Sequence, residues 1–358
     1  MKKNNKICVL IPYFGSFKNY FELWLASASL NSKIDFFIFT NEKSKFELPE
    51  NVKWISMSFK EVYNRIQNLV SFKISLNQPY DLCDFKPTYG LAFQDYIQKY
   101  DWWGFGDVDL IYGDLSVYIS EENLNKYEKM LDLGHLTFIK NSSKNNLMWR
   151  EEVDRVWSYK EAFRYPYCFH FDEGGGFSYI FNKKCKYIYH EIPGMTNFAD
   201  ISPSYDGFRL AYGGPNEESY IFCWQNGRLL GITKKNGKLV EREFTYVHLQ
   251  KRNMKIEESD IQSMIKEGFY IFPNTFKKID QVTLNEQLLK ESSQYKNIQF
   301  YGTVLEKVKR RLSFKYIYEN FFLGLFIKFL QKQRNIPSFT NEVYFEELER
   351  NSESKKCK

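Results

Sequence analysis

No stretch of this 358-residue chain reaches the roughly 18 consecutive apolar residues needed to span a bilayer, which excludes a transmembrane helix. Paired cysteine motifs are missing too: Cys8, Cys83, Cys168, Cys185, Cys223 and Cys357 are scattered, with no CxxC spacing. Five of them sit in apolar or strand-like contexts, where a free thiol behaves as a small hydrophobe. The opening MKKNNKICVL has no signal-peptide pattern and runs directly into a strand, so the expected compartment is a reducing cytoplasm. There is no internal repeat, and the polar tail Asn351–Lys358 is the only low-complexity tract. Excess charge is scarce and local. The formal net charge is +6, and Thr303–Asn335 alone holds eight Lys or Arg against Glu306 and Glu319. The main body is therefore close to neutral, which argues against a general nucleic-acid binder.

What is abundant is aromatic: 33 Phe and 26 Tyr lift the aromatic share to 18%. Such rings suit stacking on pyranose faces, but a compositional bias raising Phe, Tyr, Lys, Asn and Ile together explains the excess without any ligand. Ile7–Ile11 is a continuous apolar run closed by Pro12 and Gly15, as in a strand buried on both faces. Helical spacing follows over Tyr20–Leu30, then strands at Ile34–Phe39 and Val52–Met57 and a helix at Phe59–Val70. Alternation of this kind predicts a mostly parallel sheet with helices on both faces. Asp84 as N-cap and Pro87 in the first turn predict a helix from about Phe85 to Gln98. Beyond it a strand at Trp102–Gly106, a helix from Ser120 through Leu133 and a strand at Leu136–Lys140 are expected. Asn226-Gly227 and Asn236-Gly237 supply hairpin turns, so Ser219–Gln250 reads as a three-stranded antiparallel meander.

The segment that carries chemistry is YDWWGFGDVDLIYGDL, Tyr100–Leu115. An apolar strand delivers Asp107, Val108 and Asp109 at its carboxyl end, the edge where open α/β sheets bind ligands. Alternate residues of an extended chain point the same way, so the two carboxylates can converge on one cation. Mn²⁺ or Mg²⁺ prefers such oxygens and retains positions for diphosphate. A bare acidic triplet is otherwise a solvated turn; the aromatic strand before it and Asp114 after it favour the metal site.

The stretches VLIPYFGSFKNYFELWLAS, QPYDLCDFKPTYG, WWGFGDVDLIYGDL, LGHLTFIKN and YVHLQKR, in this order, resemble a bacterial family from capsule and surface-polysaccharide loci, long catalogued only as a domain of unknown function. That family is classed with GT-A-like glycosyltransferases, and the similarity covers roughly Lys6 to Pro273. The resemblance implies a Rossmann-like GT-A fold with an antiparallel β insert and a C-terminal helical extension. It implies a catalytic domain over 1–275 (donor half about 1–140, acceptor half about 141–275) and an extension over 276–358. Pro12, Tyr13 and Phe14 would lie under the nucleoside, or form an ordinary strand-ending turn. Thr40 and Asn41 would meet uracil or ribose, although Asn41 departs from the commoner Asp. Asp84 and Lys86 resemble the acid and base that precede the acidic triplet in related transferases. Lys86 would reach donor phosphate or sugar, while Asp84 would fix it or simply cap a helix. His248 is the candidate third metal ligand, and Lys251 and Arg252 beside it suit a diphosphate or form a basic turn.

On the acceptor side, HFDEGGGFS places two acids before three glycines, a loop whose backbone can approach a ligand closely. Asp172 or Glu173 is the candidate base for an inverting reaction, Asp172 being preferred on order alone. His135 either lines the donor-sugar pocket or is a core histidine. The apolar stripe Phe314, Ile317, Phe321, Phe322, Leu325, Phe326 and Phe329, flanked by Lys and Arg, predicts helices in 301–335. They would lie on an anionic membrane surface, pack on the catalytic domain, or join two copies. The expected function is metal-dependent transfer of a hexose, from a UDP-linked donor, onto a glycan or lipid-linked acceptor at the inner face of the membrane. Two alternatives remain: a nucleotidyltransferase, which the lack of a Gly-rich basic first loop disfavours, and a non-catalytic glycan-binding protein.

Overall fold

Cys8 and Leu10 pack into one apolar cluster, while Ile7, Val9 and Ile11 pack into another on the opposite side. The strand they form is thus sandwiched between two cores, as the unbroken apolar run requires. The structure is a computed structural model that describes residues 5–190, 198–200, 207–210, 220–236, 238–250, 252–256, 261–281 and 322–336. Its strands are β1 Ile7–Pro12, β2 Ile34–Thr40, β3 Val52–Ser56, β4 Trp102–Gly106, β5 Leu110–Tyr112, β6 Lys129–Leu133, β7 Leu136–Lys140 and β8 Ile188–Tyr189. They continue as β9 Phe198–Asp200, β10 Arg209–Leu210, β11 Ile221–Gln225, β12 Arg228–Lys235, β13 Lys238–Phe244, β14 Tyr246–His248, β15 Phe269–Phe272 and β16 Thr275–Lys278. The longer helices are α1 Phe21–Ser29, α2 Phe59–Gln67, α3 Glu121–Lys126, α4 Phe177–Lys184, α5 Ile261–Glu267 and α6 Gly324–Gln333.

The chain is a mixed α/β protein whose main sheet has seven strands in the order β3-β2-β1-β4-β7-β6-β8. β1 pairs in parallel with β2 on one side and β4 on the other, so the carboxyl ends of β1 and β4 share an edge. β7 runs antiparallel to β4 with Leu136 opposite Gly106, which returns the chain to that same edge just before β7 begins. A second sheet, β10-β9-β14-β5, starts immediately after the acidic triplet, with His248 opposite Leu110. This pairing brings a strand about 140 residues downstream beside Asp109.

Several expected boundaries shift for identifiable reasons. Over 79–97 the single helix is replaced by short helical turns, Leu82–Phe85, Lys86–Thr88, Tyr89–Ala92 and Gln94–Ile97. Pro87 has no N–H to offer the helical ladder. Asp84 is not the cap: it lies inside the first turn, and its carboxylate accepts the N–H groups of Phe169 and Phe171 at 2.9 and 2.7 Å. Gly90 is pressed against Trp103, where a Cβ would fall 2.5 Å from the ring. Ser120 does cap α3, accepting the Asn123 N–H, but the helix stops at Lys126. The following residues instead form β6, whose edge pairs with β7.

The meander β11-β12-β13 forms with Asn226 and Asn236 at positive φ, and β15 and β16 extend it to five strands. Tyr246–His248 leaves the meander and joins the second sheet. Of the predicted tail helices, Phe314, Ile317 and Phe321 lie outside the described residues. α6 packs Leu323 and Ile327 on the core and ties Arg334 to Glu161, while Phe322, Leu325 and Phe329 are exposed. No helix among the described residues is long and apolar enough to cross a membrane.

Candidate active site

A cavity of about 650 Å³ opens where β1 and β4 end. Its floor follows from the topology. β1 contributes Pro12, Tyr13 and Phe14; β4 runs through Gly106 into Asp107, Val108 and Asp109; and the β6–β7 turn contributes Gly134 and His135. The Asp107 N–H is given to the His135 carbonyl at 3.2 Å and its carbonyl accepts the Trp24 indole N–H at 3.2 Å, so the triplet backbone is fixed. The Asp109 carbonyl accepts the Leu249 N–H at 2.8 Å, which holds β14 alongside.

Asp107, Asp109 and His248 each present a ligand atom, and these atoms all lie within 4.8 Å of one another. His248 Nε2 is 3.5 Å from Asp109 Oδ1, and the His135 ring lies against His248 with centroids 4.5 Å apart. Two carboxylates and an imidazole form a donor set that fits Mn²⁺ or a similar cation. Asp107 is the more open of the acids, with 29% of its side chain exposed, so that a ligand can share the position.

Lys86 faces this group from the helical turns. Its ammonium donates to Asp107 Oδ1 and to the Gly134 carbonyl, both at 2.8 Å, and lies 3.8 Å from Asp172 Oδ2. Burial disfavours its charge, yet Asp107 and Asp172 outweigh this and raise its pKa above the ordinary value. Asp172 is 3% exposed, and burial pushes its carboxyl well above the usual range, with Lys86 pulling the other way. Glu173 Oε1 accepts the Gly134 N–H at 3.2 Å. Gly134 must remain small, because a Cβ there would fall 2.0 Å from Asp172 Oδ2.

The cavity wall also includes residues that spacing along the sequence did not single out, Lys18, Tyr80, Cys83, Tyr89 and Cys168, together with Gln250, which sequence grouped with Lys251 and Arg252 as suited to a diphosphate. Cys83 and Cys168 are separated by 85 positions, yet their Sγ atoms are 3.7 Å apart. The hydrogen bond from Cys83 holds the Cys168 thiol down to about 4 against its burial, helped by His170. His170, which sequence left without a role, is pushed up to about 10, chiefly by its hydrogen bond with Cys168. The only available hint was proximity, since CFHFDEGGG sets Cys168 and His170 just before the candidate acids.

Other candidates stand apart from the cavity. Thr40 is fully buried, its hydroxyl accepting the Glu42 N–H at 3.2 Å, and Asn41 is exposed. Asp84 sits behind the wall, where burial raises its carboxyl to about 8. Arg252 is buried and directed to the Pro273 carbonyl and Asn274, at 3.3 and 2.9 Å. Lys251 lies outside the described residues.

A family of unknown function (DUF6625) matches residues 9–280 of this chain. No curated protein is significantly similar to it. Among solved structures, the galactosyltransferase LgtC in complex with donor and acceptor sugar analogues shows 10% identity and a TM-score of 0.26. That match covers 44% of this chain and 66% of LgtC, so the chain spans just under two thirds of the LgtC length.

Proposed function

The chain belongs to this family of unknown function (DUF6625), matched over residues 9–280, and we propose from its own cavity that it is a GT-A-type, metal-dependent glycosyltransferase. The observation that carries the reading is the convergence of Asp107, Asp109 and His248 at the carboxyl edge of a mostly parallel sheet, inside a cavity of sugar-nucleotide size. In this reading these three residues hold Mn²⁺ or Mg²⁺, which supplies Lewis-acid neutralisation of a departing diphosphate.

The remaining roles belong to the protein. Tyr13 and Phe14, at the end of β1, flank the nucleoside. Lys86 turns its ammonium from Asp107 toward donor phosphate or sugar oxygens, where a buried cation is worth most. Asp172, beside Lys86 and pressed against Gly134, accepts the proton of the attacking acceptor hydroxyl. A buried carboxyl with a raised pKa is the better base, so Asp172 is preferred to Glu173. The product is then an inverted glycoside.

The proposed catalytic unit spans 1–275, with a hexose, UDP-linked, as the transferred group. A surface-glycan or lipid-linked acceptor suits the exposed Phe322 ahead of α6 and Leu325 and Phe329 within it, which would rest on an anionic bilayer beside Lys328 and Lys332. The decisive experiment is a nucleotide-release screen of sugar donors with Mn²⁺, repeated on Asp109→Ala. Release that requires both metal and Asp109 is expected; release surviving the substitution removes the metal assignment.

A further inference from the structure

Beside the same cavity, three ligand atoms of a different chemistry gather. Cys83 Sγ, Cys168 Sγ and a carboxylate oxygen of Asp84 all lie within 4.8 Å of one another. Both cysteines line the cavity. We propose that Cys83, Asp84 and Cys168 form a second cation site, selective for a thiophilic divalent ion of the zinc class, with its remaining position open to the cavity.

The distances carry this assignment. Zinc–thiolate bonds of about 2.3 Å in a tetrahedral site set the sulfurs roughly 3.8 Å apart, and the observed separation is 3.7 Å. Thiolate donors select a softer ion than the carboxylate pair at Asp107 and Asp109 does, so the two sites sort metals by chemistry. Asp84 is the independent observation. Its side chain is 3% exposed and accepts two backbone N–H groups, yet among the described residues no lysine or arginine forms an ion pair with it. A carboxylate oxygen beside the two sulfurs completes a three-donor set of the kind a tetrahedral zinc-class site uses.

The location gives the site a purpose. Asp84 already ties the turn that carries Lys86 to the backbone at Phe169 and Phe171, just ahead of Asp172. An ion bridging Cys83 and Cys168 clamps the same two segments, fixing Lys86 relative to Asp172.

Cobalt(II) titration of the reduced full-length chain, with excess Mn²⁺ occupying oxygen-rich sites, tests this without any activity readout. A sulfur-to-cobalt charge-transfer band should saturate at one equivalent, be displaced by Zn²⁺, disappear in Cys83→Ser and Cys168→Ser, and persist in Asp109→Ala. Circular dichroism checks that the serine variants fold. Absence of the band in the wild-type protein overturns the proposal, as does its survival in either serine variant. Isolation of the chain with Cys83 and Cys168 joined as a disulfide, and no cobalt uptake after reduction, also overturns it. Loss of sugar-nucleotide activity alone leaves the band unchanged, so failure of the transferase reading is distinguishable.

Discussion

Lys86 stands between two acids of unequal environment, 2.8 Å from the partly open Asp107 and 3.8 Å from the buried Asp172. Its charge is what keeps Asp172 from rising further above the ordinary carboxyl range. Lys86→Met should therefore do two things. It should lower kcat by about 10²–10³-fold, as expected for loss of a preorganised charge beside a developing one. It should also move the acidic limb of the pH–rate profile to higher pH, because Asp172, as the proposed base, must lose its proton and now holds it more tightly. Asp172→Asn should remove that limb altogether. A profile of Lys86→Met that falls in amplitude without shifting would detach Lys86 from the proton-transfer step.

Gly134 and Asp172 make a second, steric test. A methyl group at position 134 would meet Asp172 Oδ2 at 2.0 Å and Cγ at 2.8 Å. The carboxylate is buried and cannot simply swing into water, so Gly134→Ala must displace it. Overpacking of this kind costs roughly 1–3 kcal/mol in stability. The functional effect should fall on kcat rather than on nucleotide affinity, since Asp107, Asp109 and His248 are untouched. Isothermal titration with UDP and Mn²⁺ beside steady-state kinetics separates the two, and an unchanged kcat would argue that Asp172 is not the base.

Strands β1 to β4 and β7 were readable because their signals are local, whereas β6 was read as helix. The apolar run at Ile7, the capping residue Ser120 and the Asn-Gly turns each fix their own neighbourhood. Asp107 and Asp109 were readable for the same reason, being two positions apart at a strand end. What spacing could not give was long-range pairing. His248 reaches Asp109 through the pairing of β14 with β5, and Cys83 meets Cys168 where Asp84 is hydrogen-bonded to the Phe169 and Phe171 backbone. Asp84 misled for a related reason, since a carboxylate near a helix start looks like a cap whichever N–H groups it serves. Arg252, promising as a diphosphate contact, is occupied by Pro273 and Asn274, which no local pattern signals.

The proposed metal site at Asp107, Asp109 and His248 predicts ligand-linked stability. Nucleotide and Mn²⁺ together, at about 100 times the dissociation constant, should stabilise the wild-type chain by about 2.7 kcal/mol. Chelation should abolish the gain, and so should Asp109→Ala or His248→Ala, each of which leaves the cation with too few ligands. Thermal denaturation with UDP alone, Mn²⁺ alone and both is the measurement. An equal gain from UDP without any divalent ion would contradict a metal-bridged diphosphate.

A last prediction concerns the scaffold under the cavity. Lys129 and Asp132, 2.7 Å apart and almost wholly excluded from water, form a buried pair that His190 joins at 2.6 Å from Asp132 Oδ2. Burial works against the Asp132 carboxylate, but Lys129 and His190 outweigh it and hold its pKa well below the ordinary range. A carboxyl whose folded pKa is depressed contributes stability above its unfolded pKa, about 3.9 for Asp, and loses that contribution as pH falls toward the folded value. The acid limb of the stability curve should therefore flatten in Asp132→Asn. Asp132→Ala should cost about 3–5 kcal/mol because it strands a buried ammonium. Pairing it with Lys129→Met should recover much of that loss, since no uncompensated charge then remains. Urea denaturation of the two single variants and the double variant at neutral pH closes the cycle. Strict additivity would show that the charges do not interact, and the pair would then have no bearing on how the β6–β7 turn carries Gly134 and His135 into the cavity.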